Sequence, residues 1–443
     1  MTRREVCLTA SQLQQFSLSD KRLSEQNIFY KSGKHMTETP INARFPQGRT
    51  AFLLIHGIGE QNPYETVDYF AQNLLKYFEE QKLPIDLEHQ IARRKLPNGS
   101  GWTESFVRLS STDNQQQGLI DVHEYYWAPD TENKISVPEI LQWAEQTLEG
   151  TIEFYNRPQN KDLLDKLLQN QNRKGFFKFR LRSLTIFLRI FNFIYPVLRL
   201  AILLALLFAG PFLKGSYLQS AWKLSKTLIT PPLINFVGDV AIYTKTDPKS
   251  PYQKIRQQVI SECLTLLQEI LQDEKANYDQ VIIAGHSLGS CIAYDTLNLL
   301  CIESSLSPDL GKSMRIDKLK GLITFGSPLD KIAFFFRNVA QEQQYIRRRI
   351  IEHLNSFRVK PELIRKIPYL SKNPVVCQLE HISWINYYHL KDPISGNLDY
   401  YEDLKNEQMT TPTKWGTDGH LSYWTDMKFY ESIANHFLYV TKQ

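Results

Sequence analysis

The chain has 443 residues, enough for one large domain with an insertion or for two domains. Hydrophobic residues make up 42% and charged residues 22%, so a sizeable core is available, and a net charge of +5 gives no ground for a nucleic-acid partner. Cys7, Cys263, Cys291, Cys301 and Cys377 are scattered, odd in number and without a C-x-x-C. That spacing predicts neither a zinc site nor a disulfide framework, and it fits a reducing compartment. The N-terminal residues lack the apolar run of a secretory signal, so the expected location is the cytoplasm.

Residues 1–46 are polar and uneven, with a possible strand near 28–30. Residues 50–55, TAFLLI, are apolar throughout and read as a strand buried on both faces of a parallel sheet. Val67, Phe70, Ala71, Leu74, Leu75 and Phe78 then follow the spacing of an amphipathic helix. Residues 94–118 are rich in Gln, Asn, Ser and Gly and read as a loop, and 119–127 read as the next strand. After an insertion the rhythm resumes with a helix over 252–272, then strands at 281–284, 319–325 and 382–388. Strands alternating with helices predict a doubly wound, mostly parallel α/β sheet. No repeat, P-loop, H-E-x-x-H pair or EF-hand loop is present.

The strand at 281–284 runs into G-H-S-L-G at residues 285–289, followed by a helix-like segment with Cys291, Ile292, Ala293, Leu297 and Leu300 on its apolar side. Strand, sharp turn and helix are the context in which G-x-S-x-G presents a nucleophile. Side chains at 285 or 289 would collide there, and Ser287 is the expected nucleophile. A serine needs a base, and the base needs a carboxylate to fix its tautomer. Five histidines follow Ser287: His353, His381, His389, His420 and His436. His420 alone falls in a late loop after the last strand, and it is the expected base. Asp392 and Asp330 both leave the ends of strands, and Asp392 is preferred as the acid. The oxyanion requires two backbone N–H groups. Leu288, after the nucleophile, supplies one. Ile58, between Gly57 and Gly59 at the end of the first strand, supplies the other. His56 and His286 are expected to hold their loops by hydrogen bonds.

Together these residues resemble the α/β-hydrolase superfamily, and residues 250–425 resemble its class 3 (fungal triacylglycerol lipase-like) branch. G-H-S-L-G, then T-F-G-S-P at 324–328, Asp392-Pro393-Ile394, and Gly419-His420 with Tyr423-Trp424 are similar to that branch's elbow, following strand, acid loop and histidine loop. The resemblance implies Ser287, Asp392 and His420 as the triad of a serine esterase or lipase that needs no cofactor. Its oxyanion segment, His-Gly-Ile-Gly, departs from that branch. The implied fold is an α/β-hydrolase: core at 47–129, helical insertion at 130–238, and core with the triad at 239–443.

The insertion has its own chemistry. From Lys166 to Gly238 there are eleven Lys and Arg and no acidic residue. Residues 200–213, LAILLALLFAGPFL, are fourteen apolar residues, too few to span about 30 Å of hydrocarbon. Lys178, Arg182, Arg189 and Arg199 form a cationic stripe on a helix rich in Phe, Leu and Ile. Such a helix suits an anionic membrane interface, so residues 176–213 are the expected membrane contact, peripheral or re-entrant. The expected activity is cleavage of a carboxylic, lipid-like ester at a membrane. The alternatives are an inactive scaffold recruiting partners to membranes, or an acyltransferase using the same triad.

Overall fold

In a computed structural model, residues 45–58, 62–95, 101–113, 118–131, 243, 251–330, 344–361, 372–392 and 394–439 are described. The apolar run expected as a strand is β1, Arg49–Ile55, and every residue after Arg49 is buried. It is buried because both faces are covered. Phe52 and Leu54 pack with Val67, Phe70, Ala71, Leu74 and Phe78 of helix α1, Glu65–Glu80. Ala51, Leu53 and Ile55 pack on the other face with α2, Pro251–Leu271, and α3, Leu288–Leu306. Each such fully buried aliphatic or aromatic side chain contributes about 1.5–3 kcal/mol.

The remaining strands are β2 (Ile85–Lys95), β3 (Gly101–Ser111), β4 (Leu119–Tyr125), β5 (Gln280–His286), β6 (Leu319–Phe325), β7 (Ser383–His389) and β8 (Leu404–Met409). They form one eight-stranded sheet in the order β2-β3-β4-β1-β5-β6-β7-β8. β4, β1 and β5 through β8 are parallel, while β2 and β3 are antiparallel additions. β1 therefore lies between β4 and β5, with Ile55 level with both Tyr125 and Gly285. The chain order reverses around β1, and in open α/β sheets ligands settle beyond the carboxyl ends of the strands at such a point. Later elements are α4 (Tyr345–Leu354), α5 (Thr417–Leu421) and α6 (Met427–Ile433).

Three expectations are corrected. Residues 94–118 contain β3 rather than a loop alone. Its alternation is masked because an inward position carries Glu104, 6% exposed, instead of an apolar residue. Glu104 is held by Arg94 at 2.5 Å and by His123 Nδ1 at 2.9 Å, and Arg94 also reaches Asp273 at 2.6 Å. β8 was not expected either, since LKNEQM has no apolar alternation and, among the described residues, forms an edge of the sheet. Finally, Cys301 and Cys377 form a disulfide across 76 residues, which their wide spacing does not announce, while Cys263 and Cys291 are free and buried.

The Glu104 cluster carries a stability prediction. Burial pushes the Glu104 carboxyl up, but His123 and Arg94 outweigh this and hold it below the usual carboxylate range. The unfolded state then binds the proton more readily. The contribution is present above the unfolded value and is lost as the pH falls below about 4. Arg94→Met strands Glu104 and Asp273 without their shared cation, and it should destabilise by about 3–5 kcal/mol in urea titration at pH 7. A change below about 1 kcal/mol would mean that water, not Arg94, satisfies these carboxylates.

The insertion expected at 130–238 lies outside the described residues except for its first two. The proposed membrane segment 176–213 lies wholly outside them. Among the described residues no helix is long and apolar enough to cross a membrane.

Candidate active site

Ser287 sits between β5 and α3 with φ 52° and ψ −126°. A positive φ at a non-glycine residue costs of order 1–3 kcal/mol and persists only where the surroundings impose it. They do so here by close backbone approach. A Cβ on Gly285 would lie 2.3 Å from the Gly289 carbonyl oxygen, and one on Gly289 would lie 2.3 Å from that of Ile55. The turn is tied down by Ser287 N–H donating to Phe325 O at 3.0 Å and by Ser290 Oγ–H donating to Gly285 O at 2.7 Å. Ser287 is 2% exposed.

The carboxyl edge brings the expected partners near. A Cβ on Gly326, directly after Phe325, would lie 3.0 Å from His420 Cε1. The His420 ring lies 4.7 Å from that of His286, the residue before Ser287. His420 Nδ1 donates to Asp392 Oδ2 at 3.0 Å. His420 falls within the short helix α5 rather than in an open loop, and it is buried there. Gly419 lets α5 close on the loop that carries Asp392, since a Cβ there would lie 2.5 Å from Lys391 O.

Asp392 is 3% exposed. Oδ1 accepts from Ile394 N–H at 2.8 Å, and Oδ2 accepts from both His420 and the Tyr423 hydroxyl, the latter at 2.9 Å. Burial raises its carboxyl, but the His420 and Ile394 bonds and the Tyr423 hydroxyl outweigh burial and hold it well below the usual range. Asp330, the other carboxylate weighed, accepts from Asp399 N–H at 2.9 Å and Tyr400 N–H at 3.3 Å and so caps a turn. Its expected neighbour Lys331 lies outside the described residues.

The other late histidines are committed elsewhere. His381 Nε2 meets Ile316 O, His389 Nε2 meets Thr411 O, and His436 Nδ1 meets Ser432 O. His353 sits in α4. The two histidines flanking the site act on backbone. Trp127 N–H donates to His56 Nε2 at 3.1 Å, so Nδ1 carries the proton and donates to Gly57 O at 2.7 Å. In a trans peptide this turns the Ile58 N–H to the side away from His56. A Cβ on Gly57 would lie 2.9 Å from Ser287 Cβ, so that peptide borders Ser287. Burial lowers the His56 imidazole to about 4 and that of His286 to about 3, so both are neutral. His286 Nε2–H donates to His420 O at 3.0 Å.

Leu288 is the first residue of α3, where N–H groups lack intrahelical partners. Ile58 is half-buried against the cluster that contains Leu288. Gly59 lies outside the described residues. Among the described residues no group of three or more His, Cys, Asp or Glu could hold a metal ion. The contact of Tyr423 with Asp392 was not anticipated. Its signal in the sequence is the spacing of three residues after His420, one helical turn.

No family model and no curated protein matches the chain. Among solved structures, a likeness was found to an inhibited esterase B from Lactobacillus rhamnosis at 10% identity. It covers 40% of this chain and 60% of that one with a TM-score of 0.22, so the chain spans about three fifths of the esterase's length.

Proposed function

We propose that this chain is a serine hydrolase of the α/β-hydrolase type that cleaves a carboxylic ester through an acyl-enzyme. The observation that carries the reading is the buried Asp392–His420 pair at the sheet edge where Ser287 is held at φ 52°. His420 Nε2 takes the Ser287 hydroxyl proton as Oγ attacks the carbonyl, and Asp392 holds the ring in the Nδ1–H tautomer. Leu288 and Ile58 N–H groups receive the oxyanion, each such donor being worth about 2.7–4 kcal/mol. His420 passes the proton to the departing alcohol. Water, deprotonated by the same ring, then releases the acid and restores Ser287. A fluorophosphonate probe tests the reading, because only an activated serine is labelled. An unlabelled, folded protein would favour an inactive scaffold instead.

The substrate class we propose is a lipid ester met at a membrane, contacted through residues 176–213. The basis is the sequence of that segment, together with where the insertion begins. β4 ends level with Ile55 and Gly285, so the chain enters the insertion at the edge that carries Ser287. Each charge near an anionic surface is worth about 1 kcal/mol. Changing Lys178, Arg182 and Arg189 to Glu should therefore reverse more than ~3 kcal/mol of attraction, a loss of over a hundredfold in partitioning. Liposome flotation measures this, with turnover of a soluble ester as the control for folding. A wild type that stays in the soluble fraction would remove the membrane from the reading.

A further inference from the structure

Tyr423 is fully buried, and its hydroxyl lies 2.9 Å from Asp392 Oδ2, the oxygen that also accepts from His420. The same hydroxyl lies 2.9 Å from Ser395 Oγ, and Ser395 Oγ lies 3.3 Å from the backbone N–H of His389. Proton counting sets the direction of this chain. An ionised carboxylate only accepts, so the single phenolic proton must point at Asp392. The phenolic oxygen is then the acceptor toward Ser395, which must donate its own proton. Ser395 Oγ in turn accepts from the His389 N–H.

We infer that Tyr423 and Ser395 form a one-way donor chain, His389 N–H to Ser395 to Tyr423 to Asp392, that positions the acid and through it His420. The inference rests on the hydrolase reading and adds two positioning residues to it. The chain starts on the last residue of β7, so the sheet itself fixes the far end. Tyr423 lies one turn beyond His420 and reaches the acid that orients that histidine, which closes a loop of contacts around the pair. Its ring is wedged beside Phe325 and His286, with centroids 6.0 and 6.3 Å away. The hydroxyl is thereby held without help from the carboxylate. Tyr423 and Asp392 are buried and Ser395 is half-buried, and one direction of donation along the chain leaves Asp392 one geometry; bonds to charged groups in such a chain are the strong ones.

A double-mutant cycle on turnover of a soluble p-nitrophenyl ester tests this. Tyr423→Phe keeps the ring and deletes the donor, and kcat should fall about tenfold or more with KM unchanged. In an Asp392→Asn background, where no carboxylate remains to be positioned, the same change should cost less than about twofold. Ser395→Ala breaks the chain one bond earlier and should cost about two- to fivefold, again only while Asp392 is present. It also decides the matter should Tyr423→Phe fail to fold. Equal losses in both backgrounds would show that Tyr423 acts through packing, and would overturn the inference. So would turnover within twofold of wild type in both single variants beside a severely impaired Asp392→Asn. Near-normal turnover in Asp392→Asn alone would instead remove the acid role from Asp392 and overturn the donor chain with it, whereas a folded wild type that no fluorophosphonate labels would overturn the hydrolase reading itself.

Discussion

Ser287→Ala should abolish fluorophosphonate labelling and lower kcat on a p-nitrophenyl ester by about 10^6, the loss seen when a triad nucleophile is removed. Alanine retains the strain at φ 52°, and the Ser287 bond that fixes the turn is made by its backbone N–H to Phe325 O. The fold and its denaturation midpoint should therefore be unchanged. His420→Ala should cost about as much as Ser287→Ala, and the double variant little more, because nucleophile and base act as one unit. Near-normal turnover by either single variant would sink the mechanism. Additive losses would indicate that the two residues serve separate steps.

Asp392→Asn should reduce kcat by about 10^4 while KM stays near its original value. The asparagine presents an N–H where His420 Nδ1 needs an acceptor, so the imidazole turns to the wrong tautomer and the imidazolium loses its counter-charge. Asp330→Asn is the matched control. Its oxygens receive the Asp399 and Tyr400 N–H groups, and its loss should appear as about 1–3 kcal/mol of stability with turnover largely kept. The reverse ranking of the two variants would assign the acid to the end of β6. The Asp392–His420 contact would then be structural.

The sheet was readable wherever local pattern and tertiary environment agree. Residues 50–55 and 319–325 are rich in apolar residues because both faces of a parallel strand are covered, with Lys320 the one exposed position of the second, and they are the strands β1 and β6 nearly to the residue. The helix spacing of Val67 through Phe78 likewise marks the face that α1 lays on the sheet. β3 escaped because a buried charge replaces the apolar residue, and the partners that make Glu104 tolerable, Arg94 and His123, sit on other strands. β8 escaped because an edge strand needs no apolar stripe; its Asn406 instead accepts from Asn386 Nδ2–H at 2.8 Å and from Leu398 N–H at 3.0 Å.

For the site, the sequence alone determined the turn. Gly285, Ser287 and Gly289 are neighbours in the chain, and the collision that demands glycine is set by local backbone geometry and the strand beside it. Chain order and loop position picked out His420 and favoured Asp392 over Asp330, but could not place them together, because a hydrogen bond between residues 28 apart depends on where two loops land. Only the tertiary structure decided that Asp392 faces His420 while Asp330 caps a turn. It alone tied Cys301 to Cys377, gave His56 the Gly57 carbonyl as its particular partner, and set Tyr423 against Asp392. The physical reason is common to all four. Periodicity records which face of an element is apolar, whereas pairing of polar groups depends on distances between elements that no local pattern encodes.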